Sequence, residues 1–177
     1  MLIVNYNPEW IIWFEKIKLA LNLGLIGLDF KYRIEHVGST SVPNLDSKPI
    51  IDIDIVYQKE IQFNEIKLRL MEIGYYHNGN QGIEKREVFK RNGTTNNKTL
   101  DQIKHHLYVC PIDSQALNRH ILSREALRNN KNARIEYQKI KYKLAVKANQ
   151  NQKLYAELKE LYVNDFIDRI IEVEKTK

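Results

Sequence analysis

Residues 34–57 read IEHVGSTSVPNLDSKPIIDIDIVY. The run ends in Ile-Ile-Asp-Ile-Asp-Ile-Val, an alternation that predicts a strand over 50–57. Successive side chains of a strand leave opposite faces, so Ile51, Ile53 and Ile55 line one face and Asp52 and Asp54 the other. The two carboxylates then stand roughly 7 Å apart at Cα. Like charges on one face of so apolar a strand oppose folding, and a divalent cation relieves that opposition. Carboxylates at this spacing bridge metals about 3.5–4 Å apart in two-metal phosphoryl-transfer sites. An edge strand with one wet face would carry the same alternation without any metal. If the pair is a vacant metal site, its repulsion predicts that Asp52→Asn leaves the metal-free protein at least as stable.

Upstream, Phe30 to Val37 alternates as a strand that stops at Gly38. A glycine there lets the backbone approach a ligand, and the hydroxyls and amides of Ser39 and Thr40 make an anion cradle if they open a short helix. Strand, Gly-Ser, twelve residues, then a strand-borne Asp-x-Asp resembles the layout of the nucleotidyltransferase superfamily. That likeness implies a triphosphate on Gly38, Ser39 and Thr40, and Mg²⁺ or Mn²⁺ on Asp52 and Asp54.

Asn7-Pro8-Glu9 is a helix start, and Ile11, Phe14, Ile17 and Leu21 continue it over about 8–23. Residues 60–73 read as a second helix, with Ile61, Ile66, Leu68 and Ile73 on its apolar side and Gly74 closing it. Residues 86–91 and 105–110 are further strands. The polar stretch 92–104 between them predicts a hairpin loop or flap. After Pro111 the chain holds no more Pro or Gly, and helices fit near 114–128, 131–148 and 151–174, with breaks at Asn129-Asn130 and Asn149-Gln150-Asn151. The fold class is therefore α/β (α+β): a small mixed sheet of about four strands over 1–112, then an all-helical segment over 113–177 packed on it as one compact domain. Parity in 105–110 turns His106 and Tyr108 away from Leu107 and Val109 and toward the Asp pair. His106 is thus a candidate ligand or general base. Glu87 is the best-placed third acid, but it shares parity with Phe89, whose side reads as core. His36 reads as a packed, hydrogen-bonded histidine.

The 177 residues are 43% hydrophobic and 28% charged, which excludes disordered and low-complexity classes. One cysteine, Cys110, excludes a disulfide framework and any multi-cysteine zinc site. No apolar run approaches the roughly 20 residues of a membrane span, and the N-terminus lacks signal-peptide features, so a cytoplasmic protein without membrane contact is expected. The net charge is +6 and is uneven: residues 113–177 hold 14 Lys/Arg against 9 Asp/Glu. Such a basic stretch attracts nucleotides or RNA, or is simply a solvated helix face.

The run Ile34-Glu35-His36-Val37-Gly38-Ser39-Thr40-Ser41-Val42-Pro43, with Leu45 and Lys48-Pro49-Ile50-Ile51-Asp52-Ile53, resembles the signature of the GrpB family, placed in the nucleotidyltransferase superfamily. Asn7-Pro8-Glu9-Trp10 with Phe14 is similar to that family's opening helix, and Arg86 with Phe89 and His105-His106-Leu107 to its middle strands. Arg124 with Leu127-Arg128, Tyr137 with Lys141, and Tyr155 with Lys159 are similar to its helical end. Asn44 stands where the family has Gly, Tyr108 where it often has His, and Glu125 where it has Asp. Asp54 is not a regular family residue. The resemblance implies a metal-dependent transfer of a nucleoside monophosphate from an NTP to a hydroxyl acceptor. Catalysis would fall to Asp52, Asp54 and His106, and the phosphates to Gly38, Ser39, Thr40, Lys48 and Arg124. A non-catalytic nucleotide- or RNA-binding module, with RNA on the basic helices, fits the same residues. A metal-dependent phosphoesterase using His36 or His106 is a weaker third reading.

Overall fold

The computed structural model describes residues 1–93, 95 and 97–176. Helix α1 (Glu9–Gly24) opens after Pro8, and the Asn7 side chain accepts a hydrogen bond from the Glu9 amide. Its buried stripe is Trp10, Phe14, Ile17 and Leu21; Ile11, expected in that stripe, is exposed because the register turns on Trp10. Strands β1 (Arg33–Val37) and β2 (Ile51–Tyr57) are antiparallel neighbours, joined through a 3₁₀ turn at Ser39–Ser41. Helix α2 (Gln62–Glu72) follows, and Gly74 closes it at φ +87°. Ile66 and Leu70 are its buried residues, while Ile61 and Leu68 face outward.

Strands β3 (Tyr75–His77), β4 (Glu87–Arg91) and β5 (His105–Pro111) complete a sheet ordered β1-β2-β5-β4-β3. The sheet has five strands against about four expected. β3 is only three residues long and directly follows the helix-closing glycine, so no alternation announces it. β2 and β5 run parallel, with Asp52 beside His106 and Asp54 beside Tyr108. The 92–104 stretch joins antiparallel strands, as a hairpin does, but also folds helix α3 (Lys98–Gln102), capped by the Asn97 side chain. Thr94 and Asn96 in that stretch lie outside the described residues.

Every described residue beyond Asp113 that takes regular structure is helical: α4 (Gln115–Asn129), α5 (Lys131–Lys147) and α6 (Gln152–Lys175). Each starts on a side-chain oxygen of Ser114, Asn130 or Asn151, which accepts the amide three residues on; this is the N-cap geometry that defines helix starts.

The sheet separates two environments. On one face α1, α2 and α3 cover Ile51, Ile53, Ile55, Leu107 and Val109. Burying each such side chain contributes about 1.5–3 kcal/mol. The Asp52 face meets the helical segment instead. Leu117 of α4 packs on Val56 and Cys110. A second core joins Ile3, Val42 and Leu45 to Tyr137, Leu144, Tyr155 and Phe166 of the helices. Asp46 pins the loop before β2: it accepts from the Tyr6 amide, Gln138 and the Tyr142 hydroxyl. No helix among the described residues is long and apolar enough to cross a membrane.

Candidate functional site

The β2 alternation sends Asp52 and Asp54 to the face opposite the isoleucines, where Asp52 lines a cavity of about 990 Å³ between the sheet and the helices α4, α5 and α6. Gly38 and Ser39 line the same cavity, as do Lys48, Asp52, His106, His120, Arg124, Tyr155 and Lys159. Gly38 lies directly against Asp52. A Cβ added at Gly38 would fall 2.9 Å from the Asp52 Cγ and closer still to Oδ2. The turn and the acid strand, apart in sequence, therefore form one site.

The two acids differ sharply. Asp52 is 28% exposed, and its Oδ1 meets His106 Nδ1 at 2.9 Å. Burial pushes its carboxyl up, but the hydrogen bond and charge of His106, with Lys159 and His120, outweigh burial and hold it below the usual range. Asp54 is 0% exposed, and its Oδ2 meets His120 Nδ1 at 2.8 Å. Burial dominates there and leaves Asp54 raised despite His120. Its Oδ1 is buried with no hydrogen-bond partner among the described residues.

Among the described residues no three His, Cys, Asp or Glu side chains converge as metal ligands. The donor set therefore does not fit the expected two-ion arrangement, because Asp54 is sealed behind His120. It fits a single hard cation on Asp52, since Mg²⁺ commonly takes one or two carboxylates and completes its shell with water and substrate phosphates. Glu87 is not a third ligand: it bonds His77 at 2.5 Å, within β3 and β4.

Thr40, expected on the phosphates, turns out differently. It is 1% exposed, and its hydroxyl donates to the Ile50 carbonyl, so its side chain is a turn lock. With that proton committed, Thr40 Oγ1 accepts from His36 Nε2 at 3.1 Å. His36 stacks on Phe14 with ring centroids 4.6 Å apart. Burial pulls its pKa down to about 4, with the charges of Arg128 and Arg124 acting the same way and Asp52 acting against.

A buried neutral histidine makes stability pH-dependent. Above an unfolded pKa near 6.5 both states are neutral; below it the unfolded chain takes a proton that the folded one refuses, down to about pH 4. This one group should therefore remove about 3 kcal/mol of stability between pH 7 and pH 4. His36→Phe, which keeps the Phe14 stack, should flatten that slope in urea melts. Equal slopes for both proteins would refute the assignment.

Arg124 lines the cavity, but its guanidinium is engaged by Glu35 at 3.0 Å, Glu125 at 2.7 Å and the His36 carbonyl at 2.9 Å. Arg128 donates twice to the Ser41 carbonyl, at 3.1 and 2.8 Å. These arginines clamp α4 to the Gly-Ser turn. Arg134 caps the end of α4 through the Leu127 carbonyl, away from the acids. Lys48 faces the cavity with its Nζ 4.7 Å from the Tyr155 ring centroid. Burial, and then the Lys159 charge, lower it, with Asp52 opposing.

His120 and Lys159 are among the cavity residues that sequence reasoning did not assign. The available signals were spacings of four: His120 before Arg124 on α4, and Tyr155 before Lys159 on α6.

Comparison with known proteins agrees with this architecture. The UPF0157 protein YqkA of Bacillus subtilis is 31% identical over 161 residues, covering 91% of this chain but 44% of that longer protein. The crystal structure of the conserved protein GrpB from Enterococcus faecalis superposes with a TM-score of 0.76 at 27% identity, covering 96% of this chain and 97% of that one. The Cid1 poly(U) polymerase, at 13% identity and a TM-score of 0.56, covers 85% of this chain and 46% of its own and shares the nucleotidyltransferase-like fold. A family model described as GrpB protein matches residues 1–171, and the chain belongs to the GrpB family.

Proposed function

We propose that this protein binds a nucleoside triphosphate, as its Mg²⁺ or Mn²⁺ complex, at the Gly38-Ser39 turn and transfers the nucleotidyl group to a hydroxyl acceptor. The observation that carries the reading is the contact of the Gly38 backbone with the Asp52 carboxylate in the wall of one large cavity. Asp52 is the cation's protein ligand; the cation neutralises phosphate charge when bound. His106 is the base. Its Nδ1 is held by Asp52, which leaves Nε2 to take the acceptor's proton. The acceptor oxygen attacks the α-phosphorus, the bond to the bridging oxygen breaks, and pyrophosphate leaves. A poly(U) polymerase of this fold has been solved bound to MgATP, which supports a nucleotide in such a cavity. The acceptor is an RNA end, a small molecule or a protein hydroxyl.

The second reading is a nucleotide- or RNA-binding module without turnover. It is favoured by the sealing of Asp54, which leaves the site one accessible carboxylate short of a two-ion enzyme. Pyrophosphate release from mixed NTPs with Mg²⁺ or Mn²⁺, across RNA and small-molecule acceptors, separates the two. We expect release, lowered about 10²–10⁴-fold in His106→Ala, as for loss of a general base. Binding without release would leave the module, and absence of NTP binding would overturn both.

A further inference from the structure

We propose that the helical end of the cavity is a polyanion site, built by Lys48, Lys141 and Lys159, that selects a ligand bearing three or more negative charges and holds it without a metal. The inference rests on the same cavity as the nucleotide reading and names the part of the ligand that this end takes.

The three ammonium groups come from three separate elements: the loop before β2, α5 and α6. All three line the cavity. Lys141 is 1% exposed, its Nζ lies 4.9 Å from the Tyr137 ring centroid, and it donates to the Asp46 main-chain carbonyl. Lys159 is hydrogen-bonded to Tyr137 and lies near Tyr155 and Asp52. Lys48 sits over Tyr155. Two buried tyrosines thus form a platform beneath the lysines, and their ring faces favour cations.

The charge around them does not balance. Elsewhere in the cavity Lys85 pairs with Asp113, Arg119 with Asp168, and Arg124 with Glu35 and Glu125, while Arg86 lies over the Tyr108 ring. Around the lysines, the acids close enough to act are Asp52, already bonded to His106, and Asp46, already bonded to Gln138 and Tyr142. Burial, and then the Lys159 charge, lowers both Lys48 and Lys141, while Tyr137 raises Lys159 itself. Three lysine amines, none in an ion pair among the described residues, are held in one wall that folding alone gives no reason to make basic. A polyanion supplies the missing partner charge and favours the ammonium form of each lysine, and a monoanion supplies only part of it. A linear triphosphate is the ligand class that fits, with its far end among the lysines and its near end at Gly38-Ser39.

The probe is inorganic phosphate, pyrophosphate and tripolyphosphate, titrated into the full chain with EDTA present and followed by calorimetry and thermal melting. We expect affinity to rise along that series, tripolyphosphate binding at least tenfold more tightly than phosphate. Lys159→Met and, separately, Lys48→Met should each weaken tripolyphosphate at least tenfold. Lys139→Met, on the exposed face of α5, should change it less than twofold. Equal affinity for phosphate and tripolyphosphate would overturn the proposal, and so would an equal loss in Lys139→Met. Melting of each variant without ligand keeps folding defects apart from binding defects. Tripolyphosphate binding without NTP turnover would sink the transferase reading alone. Turnover without tripolyphosphate binding would sink this one alone.

Discussion

Gly38→Ala should be the most damaging small substitution in the chain, destabilising it by about 3 kcal/mol and abolishing nucleotide binding. Two independent penalties meet at this residue. Its backbone has φ 68° and ψ −173°, a region that side chains other than glycine's avoid, and forcing another residue into it costs about 1–3 kcal/mol. The added methyl would also press on Asp52, 3.0 Å from its Cβ and 2.9 Å from its Cγ, and β2 is central in the sheet and has no room to retreat. For a chain of this length each kcal/mol lowers the melting temperature by about 2–4 °C. Gly82→Ala is the control: it shares a positive φ of 81° but has nothing within 4 Å, so only the strain should register. Equal losses in the two variants would show that the contact with Asp52 carries no weight.

The paired aspartates should separate function from scaffold. Asp52→Asn should abolish nucleotide-dependent stabilisation and lower any pyrophosphate release by at least about 10³-fold, in line with loss of electrostatic stabilisation at a transferring phosphoryl group. Its stability cost should be about 1.5–3 kcal/mol, the scale of a hydrogen bond to a charged group. That revises the expectation from like-charge repulsion, under which neutralisation is harmless. Burial opposes, but His106, Lys159 and His120 outweigh it and favour the Asp52 carboxylate in the folded state. Asp54→Ala should do the reverse. It strands His120 and opens a void in the sheet, and breaking a buried pair of this kind costs about 3–5 kcal/mol. Urea melts and a pyrophosphate assay on the two variants check both halves. An Asp52→Asn protein that binds Mg²⁺-NTP normally would end the assignment of that residue.

Much of this arrangement was legible because it is strand-borne. A period of two is unambiguous, so the parity of β2 and β5 put Asp52, Asp54 and His106 on one face before any packing was known. The helix breaks were equally plain: Asn129-Asn130 and Asn149-Gln150-Asn151 interrupt a stretch free of Pro and Gly, and Asn130 and Asn151 prove to be the caps of α5 and α6. What escaped depends on the third dimension. His120 reaches Asp54 because α4 crosses the sheet at one particular rotation, which no local period encodes. Lys159 stands between Glu157 and Glu160 on a helix whose charged residues ordinarily meet solvent, and its local mark is Tyr155 four residues earlier. Thr40 misled for the opposite reason. Its type suits a phosphate, but in the 3₁₀ turn its hydroxyl lies inward, where Ile50 and His36 use it.

The clamp from α4 onto the Gly-Ser turn, and the closing of the cavity by α6, also fix when in the life of the chain a site exists. A ribosome makes the turn and both aspartates within the first third of the sequence, yet Arg124, Arg128 and Lys159 emerge much later. Until α6 has left the exit tunnel, the nascent chain carries the motif without its far wall. On the proposed nucleotide reading, a fragment released early by a stalled ribosome or a protease should be inert toward phosphates rather than partly competent, and ligand capture should report that synthesis has reached the last helix.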